Sequence, residues 1–336
     1  MKFIGTQDYE HGRRKKIGVL ICNLGTPESY KTRDVRIFLK EFLSDGRVIE
    51  IPKFIWWFIL NGIILTFRPA KSAKLYKSVW TDKGSPLLVY SERILEKLKR
   101  TVPENIEIEL AMRYGKPNME KALLSLKEKN CQSLIILPLF PQYSGTTTGS
   151  VFDEVTRALS KWRWVPALNF INSYHDHDSY ISGLVATIKN KISNHMPQKI
   201  IFTYHGIPKR NFTLGDPYQC FCQKTTRLVA EKLNLKEEEY ITTFQSRFGP
   251  AEWLKPYTSE TMERLPSEGI KDIMVIAPAF SVDCLETIEE IDEENKEIFL
   301  KAGGNKFHYI PCLNDSDEQI NFCLLYTSDA ADEASS

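Results

Sequence analysis

The chain has 336 residues, with 44 lysines and arginines against 43 aspartates and glutamates, a net charge of +1 at pH 7. That balance excludes the basic surplus of a protein whose main partner is nucleic acid. Apolar residues make up 42% and charged residues 26%, which excludes a disordered or fibrous chain and leaves enough core for two domains.

Residues 1–14 read as an N-terminal arm. The opening "MKFIGTQDYEHGRRKK" has no apolar h-region, so no secretory leader is expected. The seven cysteines are scattered and odd in number, which suits a reducing cytoplasm.

The first predicted strand is Ile17–Cys22, followed by "LGTP" at 24–27. An insertion over about 45–90 follows, and within it "FIWWFILNGIILTF", residues 54–67, is apolar but for Asn61, Gly62 and Thr66. Fourteen residues fall short of the roughly 20 that a spanning helix needs. Two readings stand: a buried core helix, or an exposed lip that touches a membrane surface or a greasy ligand. The lip reading expects several of Phe54, Ile55, Trp56, Trp57, Ile59 and Leu60 to be exposed at a cleft mouth.

Strands are predicted next at Ile106–Met112 and Ser133–Leu139, around a helix over Met119–Lys129. "LPLFPQYSGTTTGSVFDEV" (137–155) runs from strand through a hydroxyl-rich loop into a helix. Free N–H groups at that helix start favour an anion, although a polar turn with threonine caps explains the composition equally. No Gly-Lys-Ser/Thr follows, so it is not a Walker loop. The first domain is taken as 15–165.

The second domain is taken as 166–311. It opens on "YHDHDSY" (174–180), where His175 and His177 have metal-like spacing but read best as a loop entering a helix. Strands are predicted at Ile200–Tyr204, Tyr240–Phe244 and Ile273–Ala277, with helices over Thr225–Leu233 and Ser259–Arg264. "CFC" (220–222) lacks the paired spacing of a structural zinc site. No grouped set of cysteines supplies the four ligands of an iron–sulfur cluster, and none is expected.

Near-continuous apolar strands separated by helices indicate parallel sheets covered on both faces. The strand ends repeat: "LGTP", "RYG" (113–115) and "PLF" (138–140) in the first half, "HGIP" (205–208), "RFG" (247–249) and "PAF" (278–280) in the second. Three motifs in one order indicate internal duplication of a Rossmann-like, α/β domain. Ligands of open parallel sheets bind beyond the carboxyl ends of the strands. His205, presented there next to Gly206 and Pro208, is therefore a candidate functional residue rather than a solvated loop histidine.

"PAFSVDCLETIEEIDEEN" (278–295) places a loop after a strand and then a helix starting near Asp283. Asp283 and Glu286 have capping-box spacing. Asp283, Glu286, Glu290 and Glu293 fall on one helix face, as either a solvated stripe or a path for a divalent cation. "FQSRFGPAEWLKPYT" (244–258) adds Arg247, Trp253 and Tyr257, aromatics that either fill core or wall a flat ligand.

"SDEQINF", with Ser316 as N-cap, opens a C-terminal helix placed at 312–322 and read as cut short. The next ten residues, "CLLYTSDAAD" (323–332), equal a translated sequencing-adapter string residue for residue. Residues 323–336 are accordingly expected to be a non-native tail without packed contacts.

The stretches "NLGTP", "MRYGKP", "LPLFPQYSGTTTGS", "TYHGIP", "FQSRFGPAEWLKPYT" and "CLETIEEI" occur in one order from about residue 15 to 322. In them the chain resembles ferrochelatase, the lyase that inserts ferrous iron into a porphyrin to make haem. The resemblance implies two Rossmann-like, chelatase-type domains with a porphyrin cleft between them. It implies catalysis by His205 and Glu286, and metal handling by His205, Glu286, Asp283 and Glu290. Leu24, Tyr114, Tyr143, Ser144, Trp253 and Phe280 match substrate-pocket positions. Fe²⁺ enters as substrate, and no cofactor is implied.

Leu24 holds the place of His205 in the first copy of the duplicated loop and is expected across the cleft from it. An apolar residue there resembles the protoporphyrin-using branch of the family; the coproporphyrin-using branch carries tyrosine. Protoporphyrin IX and Fe²⁺ are thus the expected partners of a cytoplasmic enzyme, with a transient membrane-surface contact through residues 54–67 and no nucleic acid. His205 suits a proton acceptor, but the residues leave open whether it or Glu286 holds the metal. Two other readings remain: a cobalt or nickel chelatase for another tetrapyrrole, disfavoured by the single cleft histidine, and a non-catalytic haem carrier, which needs no acidic path for free iron.

Overall fold

The computed structural model describes residues 3–6, 9–193 and 195–333, with side chains as far as Thr327. Four strands, β1 (Lys16–Thr26), β2 (Ile106–Gly115), β3 (Cys131–Pro138) and β4 (Ala167–Phe170), form a parallel sheet in the order β2-β1-β3-β4. Four more, β5 (Lys199–His205), β6 (Tyr240–Gln245), β7 (Asp272–Ile276) and β8 (Lys306–Ile310), form a second sheet in the order β6-β5-β7-β8. The two orders are the same when counted from each sheet's first strand, and helices fill the connections, so the expected α/β duplication is present.

The six predicted strands all form. β1 and β5 are central in their sheets, and their successive residues are buried one after another. Side chains alternate faces along a strand, so continuous burial means that both faces are covered. β4 ("ALNF") and β8 ("KFHYI") escaped the sequence reading. Both are short edge strands with exposed positions, too brief to show a long buried run.

The duplication extends to backbone detail. Gly25 (φ +114°) lies against the end of β2, where a Cβ would fall 1.9 Å from the Tyr114 carbonyl oxygen. Gly206 lies against the end of β6, where a Cβ would fall 2.8 Å from the Gln245 carbonyl oxygen. Each first strand thus turns away over the end of its neighbour at a distance only glycine tolerates. The Met112 N–H donates to the Pro117 carbonyl at 2.7 Å, and the Phe244 N–H to the Pro256 carbonyl at 2.8 Å, the same bond in each copy.

Two compact units result: Met1–Leu139 with Gly145–Asn172 and Ile320–Ser336, and Phe140–Ser144 with Ser173–Gln319. The first extends past the expected limit of 165, because β4 pairs with β3. In the second unit, Ile201, Ile273 and Val275 pack with Met262, Leu265, Phe299 and Phe307 in a core cluster.

The greasy insertion is not a buried helix. Helix Lys53–Ile59 buries none of its residues, and a π-helical turn, Leu60–Ile64, leads into helix Leu65–Val79. Phe54, Trp57 and Phe67 are 76%, 59% and 73% exposed, and Ile55 is exposed too. Of the other residues named for the lip, Leu60 is buried and Trp56 and Ile59 are half-buried. Leu65, Pro69, Ala73 and Tyr76 face inward at helical spacing, and the Trp56 indole N–H donates to the Leu43 carbonyl at 2.6 Å.

The C-terminus departs from expectation. One helix runs from Asp317 to Glu333, straight through the position where an unpacked tail was expected. Gln319, Cys323 and Thr327 are buried, while Leu324 and Leu325 are half-buried. Those three buried positions recur every four residues, so "CLLYT" continues the inward stripe that "SDEQINF" begins. The side chains expected to be unpacked beyond Thr327 lie outside the described residues.

Candidate active site

The second sheet reverses direction of growth at β5, which has β6 on one side and β7 on the other. A loop leaving β5 and a loop leaving β7 therefore part company at their carboxyl ends, the place where such sheets bind ligands. His205 is the last residue of β5 and Glu286 follows β7.

His205 is half-buried and paired in register with Gln245. Its Nδ1 lies 2.7 Å from the Gly206 carbonyl oxygen. A carbonyl only accepts, so Nδ1 carries the hydrogen and Nε2 is left with the lone pair. The segment 253–258 is strapped alongside: Pro208 bridges Trp253, and the Leu254 N–H donates to the Ile207 carbonyl at 3.0 Å. The Trp253 ring centroid lies 6.4 Å from that of His205. The Trp253 Nε1 is buried without a hydrogen-bond partner among the described residues.

The acidic segment is broken where one continuous helix face was expected. Helix Leu285–Ile288 gives way to a π-helical turn, Glu290–Asn295, and then to helix Lys296–Lys301. Cys284, not Asp283, is the N-cap, and its N–H donates to Thr287 Oγ1 at 2.9 Å in place of the expected Asp283–Glu286 box. Glu286 is half-buried and Glu293 is exposed.

Glu290 is held tightly. Its carboxylate accepts from the Ser246 N–H (2.7 Å), the Ser246 hydroxyl (2.5 Å) and Gln245 Nε2 (3.2 Å). Gln245 Nε2 also donates to the Glu286 carbonyl at 2.9 Å. Burial raises the Glu290 pKa above its ordinary value and Glu286 adds to the rise, while the Ser246 hydrogen bond and the His205 charge oppose it. Ser246 sits at φ +64°, the left-handed region that side chains avoid. Gln245 and Ser246 went unread in the sequence. Their only signal was membership of "FQSRFG", where Arg247 drew attention instead; Arg247 stacks on Tyr257 at 4.7 Å.

Asp283 is the one buried member of the four acids. It is 5% exposed, and its carboxylate accepts from Tyr309 OH (2.6 Å), Thr287 Oγ1 (3.1 Å), the Cys312 N–H (3.3 Å) and Asn314 Nδ2 (2.6 Å). These four donors tie the loop after β7 to the segment after β8. His205, Glu286, Asp283 and Glu290 do not form a preassembled cage. Among the described residues, one group of His, Cys, Asp or Glu brings three ligand atoms within 4.8 Å of one another, and it is His195, Asp272 and His308.

Tyr114 is buried as well. It is 1% exposed, and its hydroxyl donates to Asp45 at 2.8 Å, where Arg113 (2.6 Å) and Ser150 (2.5 Å) meet the same oxygen. Burial raises the Asp45 pKa, but hydrogen bonds from Ser150, Arg47 and Tyr114, with the Arg113 charge, outweigh it and leave the group below its ordinary value. Ser144 is buried and its hydroxyl donates to Asp216 at 3.0 Å. Tyr143 and Leu24 are half-buried, Phe280 packs on the core cluster, and His175 stacks on Phe221 at 3.8 Å.

SirB from Bacillus subtilis, in a structure with Fe³⁺, has a TM-score of 0.58 at 12% identity, covering 94% of this chain and 97% of its own. The fold is thus that of a chelatase, two parallel α/β domains of one pattern. The ferrochelatase family model matches residues 16–326. Ferrochelatase 2 of Shewanella oneidensis is 52% identical over 314 residues, 92% of this chain and 96% of the relative. The ferrochelatase of Thioalkalivibrio sulfidiphilus is 50% identical over 326 residues, 96% and 88% of the two chains. The chain belongs to the ferrochelatase family, lyases that insert iron into a porphyrin in haem biosynthesis.

Proposed function

We propose that this chain inserts Fe²⁺ into protoporphyrin IX, with the chemistry carried by His205, Glu286 and Glu290 at the carboxyl ends of β5–β7. Free porphyrin holds two pyrrole N–H protons, and both must leave as Fe²⁺ enters, so charge balances without a redox step. The observation that carries the reading is His205 Nδ1 pinned to the Gly206 carbonyl. With that nitrogen committed, Nε2 is the base that accepts the first proton. Glu290, raised by burial beside His205, takes the second, and Glu286 meets the cation. Binding energy from the flat faces of the ring supplies the pucker that turns the pyrrole lone pairs outward.

Leu24 supports protoporphyrin over coproporphyrin. It occupies the His205 position of the duplicated loop and offers no atom to a metal, and protoporphyrin carries two propionates rather than four. Formation of metalloporphyrin, followed by Soret absorbance with Fe²⁺ or Zn²⁺ and each porphyrin in turn, tests the whole reading. A preference in kcat/KM of about tenfold for protoporphyrin is expected, which needs about 1.4 kcal/mol of differential transition-state binding. Equal or better use of coproporphyrin refutes the assignment, and a protein that binds haem but forms none is a carrier.

The exposed insertion suits uptake of this lipophilic substrate at a membrane surface. Among the described residues no helix is long and apolar enough to cross a membrane. Phe54, Trp57 and Phe67 instead project from helices that also carry the exposed Lys53, Lys71 and Lys74, the pairing of apolar and basic groups that binds anionic interfaces. In co-sedimentation with vesicles containing phosphatidylglycerol, wild type is expected to pellet and Phe54→Ser/Trp57→Ser to stay largely in solution. Equal behaviour of the two proteins removes the membrane role.

A further inference from the structure

We propose that His195, Asp272 and His308 form a second metal site, remote from the reaction, for a borderline divalent cation of the Zn²⁺ type. His195 lies just before β5, Asp272 opens β7, and His308 is in β8. β5 runs from Lys199 at this end to His205 at the other, so about 20 Å of strand separates the two sites.

The register brings the ligands together. Asp272 pairs with Lys306, and His308 is two residues further along β8, so the Asp272 and His308 side chains share one face of the sheet. Gln198 fixes the approach of the His195 segment: its side-chain oxygen accepts from the Lys271 and Asp272 N–H groups (2.7 and 3.0 Å), and its own N–H donates to the Asp272 carbonyl at 3.0 Å. His195 Nε2 then lies 2.6 Å from Asp272 Oδ2, and the His195 and His308 rings are 5.4 Å apart.

Hydrogen bonding leaves this cluster incomplete. Asp272 Oδ1 and His308 Nε2 are both buried without a hydrogen-bond partner among the described residues. Each orphaned atom costs desolvation that a water-exposed or paired group would not. A carboxylate oxygen and two imidazole nitrogens are the donor set that Zn²⁺ takes at three of four tetrahedral positions. The three ligand atoms already lie within 4.8 Å of one another. Metal bonds of roughly 2.0–2.1 Å in a tetrahedron set ligand atoms about 3.4 Å apart, so the His195–Asp272 contact opens by roughly 0.8 Å and the widest pair closes by up to about 1.4 Å, within reach of side-chain rotation. The His195 side chain is 32% exposed, which leaves an opening for entry and for a water as fourth ligand. Lys306 Nζ lies 3.8 Å from Asp272 Oδ2, and its side chain is largely exposed, so it can turn to solvent when a cation occupies the cluster.

The test removes the reaction site first. In a His205→Ala/Glu286→Gln background, calorimetric titration with Zn²⁺ is expected to show one equivalent bound, and added Zn²⁺ to raise the melting temperature. His308→Ala and, separately, the half-exposed His195→Ala are each expected to weaken that Kd at least about tenfold and to abolish the thermal shift. Circular dichroism of each variant in EDTA establishes that it is folded. No Zn²⁺ bound by the background protein, or binding unchanged in both histidine variants, overturns the proposal.

Discussion

His205→Ala protein is expected to bind porphyrin and to insert metal at no more than a few per cent of the wild-type rate. His205 is the terminal residue of a strand whose preceding five residues are buried, so trimming its half-buried ring leaves the core of the second unit untouched. What is lost is the nitrogen left basic by the Gly206 contact. Removing a positioned base commonly costs about 10²–10⁴ in rate, or roughly 3–5 kcal/mol of barrier. Quenching of porphyrin fluorescence reports binding, and Soret absorbance reports turnover. Turnover above a few per cent with binding intact rules out His205 as the proton acceptor.

Glu286→Gln is expected to lower insertion by about 100-fold or more, and Glu293→Gln by less than about twofold. The two glutamates lie on the same acidic run, but Glu286 is half-buried near Gln245 and Glu293 faces solvent. Glutamine keeps the shape and removes the charge. Glu286 also helps to raise the Glu290 pKa. In Glu286→Gln that contribution is gone, so the acidic limb of the residual kcat/KM profile moves to lower pH. Equal losses from both substitutions, with no shift of the limb, would assign the run a structural role.

Much of the fold was legible because burial writes itself into composition. β1 and β5 are apolar at consecutive positions, and the three strand-end motifs recur in order, so both sheets and their duplication could be read. β4 and β8 could not, because strands of four and five residues with exposed positions are too short to show such a run. His205 was legible for the same reason as the strand that carries it: a buried run that ends in histidine and glycine points the histidine at solvent or ligand. Gln245 and Ser246 were not, since an amide and a hydroxyl acquire meaning only when the Glu290 carboxylate is brought to them.

The acidic run and the C-terminus mark the limit. Spacing alone put Asp283, Glu286, Glu290 and Glu293 on one helix face, yet a carboxylate's role depends on what donates to it. Asp283 takes one donor from nearby Thr287 and three from Tyr309, Cys312 and Asn314, far along the chain, and Tyr114 likewise meets distant Asp45. Cys323 and Thr327 were read from the origin of their string, but burial answers only to the side-chain stripe, and the stripe continues. The sequence by itself determined six of the eight described strands, the duplication, the family and the placement of His205 at a strand end, because these rest on local pattern. Only the tertiary structure decided which polar groups are satisfied within the protein and which are left for a ligand, because hydrogen-bond partners come from residues tens of positions apart.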